Sequence, residues 1–557
     1  MFTYSTTGIT QHRQWADQYF LPLFILGVIA NLSALFLPIL EPDGALYASI
    51  AKHMAQTNDF VNLYDLENDW LDKPHFPFWL TALSFKVFGY HSFAYRLPAL
   101  LFWMMGAVYT FKFALLFYNE VVAKIAVLIY LTALHLVISN GDVRAEPYLT
   151  GLIIAAVFHF YKASKKKVDK HLIFGALFAA CAVMTKGPFV LVPIGAGFIF
   201  HWLFTGDYKQ FFHYRWLLAF LLIFIFILPE LFCLYLQFDA HPEKTIFGKQ
   251  HVSGIKFFFW DSQFGRFLNT GPIKGSGDLS FYLHTLLWAF LPWSIFLYTA
   301  LVWRFIKLRN TVIINPEYIS LFGAVVTFLM FSLSRFQLPH YLNIVFPFFA
   351  ISTANWFVSV SKSKEVKFIK NIQYVVCVLV LAALVALIIL FRFDYWIVLN
   401  TAVVLSIIAA LVYFYKNTGA AVLSSFVVAC ILYFFLNLFF YPTLLHYQSG
   451  SKAAAYVNQN ISADTAFVFE LRSYSFEFYA NKKIRYLSLD DLKQKEQQNS
   501  VFVFTKNENV VQLEKDGFEV KVLQRFPHFH ISMLNLKFLN YKTREKELQE
   551  FVVAEVK

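Results

Sequence analysis

The chain has 557 residues, 58% apolar, 20% aromatic and 15% charged, with a formal net charge of +12. Soluble chains carry about 25% charged residues, so this composition excludes an ordinary soluble enzyme. Continuous apolar stretches such as Phe20–Leu40, Trp216–Leu236 and Val375–Leu390 exclude a barrel of short alternating strands, and the basic excess belongs to loop lysines rather than to a nucleic-acid-binding face.

In chain order, a polar N-terminal stretch enters a first apolar run with no small-residue cleavage signature, which predicts a retained helix over 18–40. Further apolar runs predict helices over 93–118, 122–139, 145–161, 171–184, 188–204, 215–236, 280–303, 316–333, 340–360, 371–391, 395–415 and 420–440. Lys and Arg alternate between the connecting loops. One set holds Arg13, Lys124, Lys162, Lys165, Lys166, Lys167, Lys170, Lys209, Arg215, Arg304, Lys307, Arg309, Lys362, Lys364, Lys367, Lys370 and Lys416. The short loops of the other set hold Arg144, Lys186, Arg335 and Arg392. The positive-inside rule makes the first set cytoplasmic and places the N-terminus inside; thirteen helices then leave the C-terminal segment outside.

The expected fold is an all-α polytopic membrane protein of about thirteen transmembrane helices, with amphipathic helices on its outer face and a small C-terminal soluble α/β domain. Residues 1–450 form the membrane unit, with outer loops over 41–92 and 237–279. Tyr47–Gln56 and Phe76–Phe88 are amphipathic and suit helices lying along the surface. Residues 451–557 carry 16 basic and 14 acidic residues, a density and balance that mark a separate water-facing unit. Strand-like runs at Ala466–Glu470, Ile484–Leu487, Val501–Thr505 and Glu519–Leu523 alternate there with the helix-like Ser451–Gln459 and Leu489–Gln497. Cys181, Cys233, Cys377 and Cys430 all lie in apolar runs and read as core residues.

Reactive polar groups gather on the outer side. Glu41 and Asp43 flank Pro42 at the lip of the first helix; Asp43 reads as an active-site acid or as the N-cap of a helix starting at Gly44, and the residues alone leave both open. Asp72, Lys73 and His75 sit among aromatics at Trp70–Leu83, where Lys73 either pairs a lipid phosphate or snorkels to the headgroups. Asp142, Arg144 and Glu146 crowd a short loop, with Glu146 near a helix start that favours an acid on dipole grounds alone. Lys186 stands alone in Met184–Pro188, Arg266 in Asp261–Phe267, and Arg335, His340 and Tyr341 in Ser334–Tyr341. Each basic residue has a bland reading as a headgroup contact. Yet Lys73, Lys186, Arg266 and Arg335 all lie where positive charge is otherwise sparse, and one shared anion accounts for the set. Phosphate in a partly apolar site fits, with Arg able to bind it through two bonds. The sequence shows neither a nucleotide loop nor His/Cys metal spacing, so an outer-face reaction needs a substrate that already holds its energy.

D-G-A-L-Y-A at Asp43–Ala48, D-K-P at Asp72–Pro74 with the following F-W-L-T-A-L-S-F-K-V-F-G, the Arg-Leu-Pro of Tyr95–Pro98, T-K-G-P, L-P-W-S and Q-L-P-H-Y occur in this order between residues 43 and 341. In that combination the chain resembles lipid-linked-sugar glycosyltransferases of the type C fold, in particular bacterial aminoarabinose–lipid A transferases and the protein O-mannosyltransferase-like group. The resemblance implies Asp43 as the catalytic carboxylate. Gly44 departs from the acidic residue usual after it, and Glu41 lies two residues before. It further implies Asp72 and Lys73 as an acid–lysine pair near the donor phosphate, Glu146 (or Asp142) as a second outer acid, Arg266 as a phosphate-contacting loop arginine, and His340 and Tyr341 as a helix-start pair. Residues 362–557 match in architecture alone.

The expected function is transfer, with inversion, of one sugar from a polyprenyl-phosphate donor to a lipid A-like lipid, glycan or protein acceptor at the outer face of a bacterial inner membrane. Asp43 and Glu146 carry the catalytic roles; Lys73, Arg266, Lys186 and Arg335 hold the donor phosphate; Glu41, Asp72, Asp142, His340 and Tyr341 complete the candidates. The chemistry requires no cofactor; a divalent metal stays open as an alternative because Asp43, Asp72, Glu146 and His75 could converge, although spacing alone does not show it. The competing class is a flippase of lipid-linked saccharide, which would place ionisable residues at mid-membrane.

Overall fold

The computed structural model describes residues 6–165, 169–310, 317–360, 364–394, 396–397, 400–401, 420–496 and 500–557. Helices dominate: α1 (Thr6–Leu32), α2 (Asp43–Thr57), α3 (Phe76–Phe88), α4 (Ser92–Phe117), α5 (Glu120–Thr132), α6 (Leu134–Gly141), α7 (Glu146–Ser164), α8 (Lys170–Lys186), α9 (Leu191–Thr205) and α10 (Tyr214–Leu234) lead the chain. A short hairpin, β1 (Tyr64–Asp65) and β2 (Asn68–Asp69), lies between α2 and α3. Among the described residues six helices are long and apolar enough to cross a membrane, or seven if the bent pair α5–α6 is one span. This is a multi-pass membrane protein. Other expected spans are shorter apolar helices, such as Ile319–Leu333, and the expected helix over 395–415 falls almost wholly outside the described residues.

Two expectations are corrected by how the backbone satisfies its carbonyls. The first helix stops at Leu32 instead of running to 40. Beyond it, the carbonyls of Leu35, Leu37 and Pro38 accept from the guanidinium of Arg96, which is wholly buried and also donates to Gly141 O. An arginine in the core is costly unless every donor is used, and here it replaces the helix ladder. The run 280–303 is two helices, Phe281–Ala289 and Ser294–Asn310. Pro292 has no N–H for the ladder, and the carbonyl of Leu291 instead accepts from Leu134 N at 3.0 Å. Leu134 begins the second half of the α5–α6 pair, bent by 51°, so the two breaks satisfy each other.

The chain closes with a five-stranded sheet of order β4-β3-β5-β7-β6, built from β3 (Thr465–Phe469), β4 (Lys483–Leu487), β5 (Val501–Lys506), β6 (Val520–His528) and β7 (Gln549–Val556). β3 pairs parallel with β4 and β5, whereas β7 pairs antiparallel with β5 and β6. Alternating side chains feed one apolar cluster on each face, Val468, Phe504 and Val553 on one and Phe469, Val503 and Val552 on the other. β7 lay in a stretch with no expected strand. Helix Ser449–Asn460 enters this unit, and the short helix Tyr474–Tyr479 turns its end toward α2.

Candidate active site

A polar cavity of about 180 Å³ opens where α2, α3, α7 and α8 meet; Asp43, Tyr47, Asp72, Lys73, Arg144, Glu146, Tyr148, Lys186, Arg266, His340 and Tyr341 line it. Beside it lies a cavity of about 420 Å³ walled by Leu71, Phe189, Val192, Leu234, Phe257, Phe258, Phe267, Met330 and Phe331. The two share Asp72, Lys73, Lys186, Arg266, Phe336 and Tyr341. Three cations therefore stand in a wall between an apolar chamber and a polar one.

Each side chain is placed by its element. α2 begins at Asp43 itself, and no side chain caps it; the carboxylate instead meets Arg144 Nη1 at 2.8 Å. That excludes the N-cap reading of Asp43: it sits in the first turn of the helix, where an anion is favoured, and it is engaged by a cation. Gly44 follows it, and a Cβ there would stand 3.1 Å from Asp142 Oδ1, so the glycine admits the neighbouring carboxylate. Arg144 also holds Asp142 at 3.0 Å. Burial would disfavour the arginine's charge, but Asp142 and Asp43 outweigh it and raise its pKa. Burial raises the Asp142 carboxyl against the pull of Arg144.

Glu146 is the first residue of α7 and Lys186 the last of α8. The dipoles favour an acid at one end and a base at the other, and the two side chains pair directly, with exposures of 1% and 8%. Lys186 also lies 3.9 Å from the ring centroid of Tyr341, and His340 Nε2 is 3.8 Å from Glu146. Gly187 ends α8 at φ 103°, and a Cβ there would strike Gln263. Only glycine allows that turn to abut the loop 237–279.

Asp72 and Lys73 lie on the loop before α3, paired at 2.5 Å, and Arg266 bonds the other oxygen of Asp72. Arg266 is delivered by the loop 237–279, through a π-helical stretch, Phe257–Gly265, a form common at functional sites. Burial would raise the Asp72 carboxyl, but Lys73 and Arg266 hold it below its usual range. Burial lowers the Lys73 ammonium despite Asp72. The buried Nε of Arg266 has no partner among the described residues, so one donor remains for an incoming anion.

Other candidates lie elsewhere. Arg335 is exposed and lines neither cavity, which corrects its place in the phosphate set; its backbone bonds Phe267 O and Gly277 N instead. Glu41 faces away and accepts from Ser473 Oγ and Ser475 N. Asp142 does not line the polar cavity; it lines a smaller neighbouring pocket and holds Arg144. His75 is wholly buried, bonded to Glu230 and to Val61 O. A metal held by Asp43, Asp72, Glu146 and His75 does not fit: the carboxylates are bound to cations, His75 turns away, and no group of three or more such ligands converges among the described residues. Sequence reasoning missed Arg144 as the partner of Asp43, and missed Tyr47 and Tyr148. The short loop holding Arg144 was a signal for the first, and Tyr47 lies within the D-G-A-L-Y-A motif; Tyr148 had no comparable signal. Glu230 was hidden in an apolar run.

Residues 72–232 match the family model described as dolichyl-phosphate-mannose-protein mannosyltransferase. The chain is 26% identical over 364 residues to undecaprenyl phosphate-alpha-4-amino-4-deoxy-L-arabinose arabinosyl transferase 2 of Proteus mirabilis, covering 63% of this chain and 61% of that one. It is 25% identical over 358 residues to an uncharacterized protein of Aquifex aeolicus, covering 63% and 66%. The matches thus span between about half and two thirds of the curated relatives' length. Among solved structures, ArnT from Cupriavidus metallidurans bound to undecaprenyl phosphate superposes with a TM-score of 0.75 at 16% identity, covering 97% of this chain and 98% of that one. The chain has the ArnT fold. It resembles both groups to which its motifs pointed, the aminoarabinose transferases and the mannosyltransferase family.

Proposed function

We propose that this protein transfers a single sugar from a polyprenyl phosphate to an acceptor, with inversion at the anomeric carbon. The observation that carries the reading is the wall shared by the two cavities: Lys73, Lys186 and Arg266 stand between an apolar chamber suited to a lipid tail and a polar chamber of about 180 Å³, room for one sugar unit. The relatives named as arabinosyl transferases use a lipid donor of this kind, and the ArnT structure binds undecaprenyl phosphate.

In the proposed reaction Asp43 takes the proton of the acceptor hydroxyl, or aligns that oxygen, as it attacks the anomeric carbon. The bond from that carbon to the donor phosphate oxygen breaks, and its electron pair leaves with the phosphate. Lys73, Lys186 and Arg266 stabilise the leaving charge, so no separate acid is needed. Arg144 holds the Asp43 carboxylate in place and aims it, and Glu146 orients the sugar beside His340 and Tyr341. The acceptor is a lipid A-like lipid, a glycan or a protein. Thirteen spans, a cytoplasmic N-terminus and an outer C-terminal unit in a bacterial inner membrane complete the proposal, with the site at the outer face. A flippase would need its ionisable groups along the path through the membrane, whereas these cluster at helix ends.

The test is turnover in proteoliposomes supplied with radiolabelled polyprenyl-phosphate sugars and envelope extract. Wild type should release polyprenyl phosphate and Asp43→Asn should not, with normal insertion. Movement of intact donor between leaflets without release would overturn the proposal.

A further inference from the structure

The segment between α1 and Asp43 has no regular structure, yet its backbone groups are tied to side chains. Up to Pro38 those ties come from Arg96, in the membrane unit. From Ile39 onward they come from the C-terminal part of the chain. Tyr479 Oη accepts from Ile39 N at 2.8 Å. Gln448 receives Glu41 N at 3.0 Å through its amide oxygen and donates to Ile39 O at 2.9 Å through its nitrogen. The Glu41 carboxylate accepts from Ser473 Oγ at 2.9 Å and Ser475 N at 2.6 Å. On the far side of Asp43, Lys52 donates to Phe478 O and Ala480 O at 2.6 and 2.9 Å. Asp43 therefore sits between two attachments to one short helix and its flanks.

We infer that the C-terminal unit is a positioning element for the proposed reaction, with Gln448, Glu41 and Tyr479 as positioning residues that fix Asp43 against the phosphate-binding wall. Gln448 is 1% exposed, and its side-chain amide reads the peptide of residues 39–41 as a neighbouring strand would. A displacement of about 1 Å at a reacting group costs about a hundredfold in rate, so loosening this peptide slows chemistry without touching the three cations that hold the donor. The inference rests on the transfer reading for its kinetic part and on geometry alone for its structural part.

The experiment compares Gln448→Ala, Tyr479→Phe, Glu41→Ala and Glu41→Gln in two readouts. Glu41→Gln keeps an oxygen for Ser473 and Ser475, so it is the conservative rescue. Steady-state transfer should show kcat down about tenfold to a hundredfold for the first three, donor KM within about twofold, and most of the rate restored in Glu41→Gln. Hydrogen–deuterium exchange of the amides over residues 39–47 should accelerate in the same three variants and not in Glu41→Gln. Tyr479→Phe removes one hydroxyl and keeps the ring, which guards against a variant that fails to fold. Unchanged exchange in Gln448→Ala and Tyr479→Phe would overturn the inference, as would kcat and KM falling together without rescue. Accelerated exchange with no turnover in wild type would support the attachment and reject the transfer reading.

Discussion

Glu146 and Lys186 allow stability and chemistry to be separated. Their side chains are 1% and 8% exposed and pair directly, in a wall where Lys73 and Arg266 add further positive charge. Glu146→Gln leaves the Lys186 ammonium buried without its carboxylate. Breaking a buried pair by removing one member costs about 3–5 kcal/mol, because the remaining charge is stranded, and the lost acid at the start of α7 adds about 0.3–1 kcal/mol. Replacing both, as Glu146→Gln with Lys186→Met, removes the stranded charge and should return most of that loss. Thermal unfolding of the detergent-purified protein, read by a thiol-reactive dye at the buried Cys233, Cys377 and Cys430, measures all three. Polyprenyl phosphate should supply the missing anion, so it should raise the Tm of Glu146→Gln more than that of wild type. Transfer should stay low in the double variant, since a leaving-group cation is gone. A Glu146→Gln protein within about 1 kcal/mol of wild type, against the 3–5 kcal/mol expected of a broken buried pair, would refute the reasoning. A double variant no more stable than the single one would do the same.

Lys73→Met should lower kcat by about a hundredfold to a thousandfold, as loss of one preorganised donor to a developing oxyanion does, whereas Arg335→Ala should change it less than about twofold because its side chain lines neither cavity; equal losses in the two would place the phosphate elsewhere. Glu477, in the C-terminal unit, has its pKa raised to about 7, chiefly by burial. The folded state therefore holds an extra proton, and its stabilisation is full below the unfolded carboxyl range near 4.5 and is lost as pH rises through about 7. Glu477→Gln should flatten that fall in stability between about pH 5 and 8, measured by chemical or thermal unfolding across pH; an unaltered slope would reject the assignment.

Much of the site was legible because its residues are charged and sit at helix ends. Asp43, Asp72, Lys73, Glu146, Lys186, Arg266, His340 and Tyr341 were picked from motifs, and all line the polar cavity. Arg335 had the same sequence signature and failed, since its backbone is fixed to Phe267 and Gly277 while its side chain points to solvent. Charge scarcity identifies a face of the protein and says nothing about direction within it. Glu230 was invisible because its partner His75 lies 155 residues away and the surrounding run is apolar. The run 280–303 read as one helix because hydropathy is continuous across it, whereas the break at Pro292 depends on a missing N–H and a distant donor, Leu134. The last strand, Gln549–Val556, was missed because its middle is apolar at consecutive positions, as a strand covered on both faces must be, and that erases the alternation used to find strands.

The shared wall has a kinetic consequence. In the proposed reaction the phosphate gains charge when the sugar departs, yet Lys73, Lys186 and Arg266 remain where they were. The spent lipid is then held more tightly than the donor it came from. Turnover should be limited by escape of polyprenyl phosphate, which should compete with fresh donor, and a burst of one transferred sugar per protein molecule should precede the steady rate.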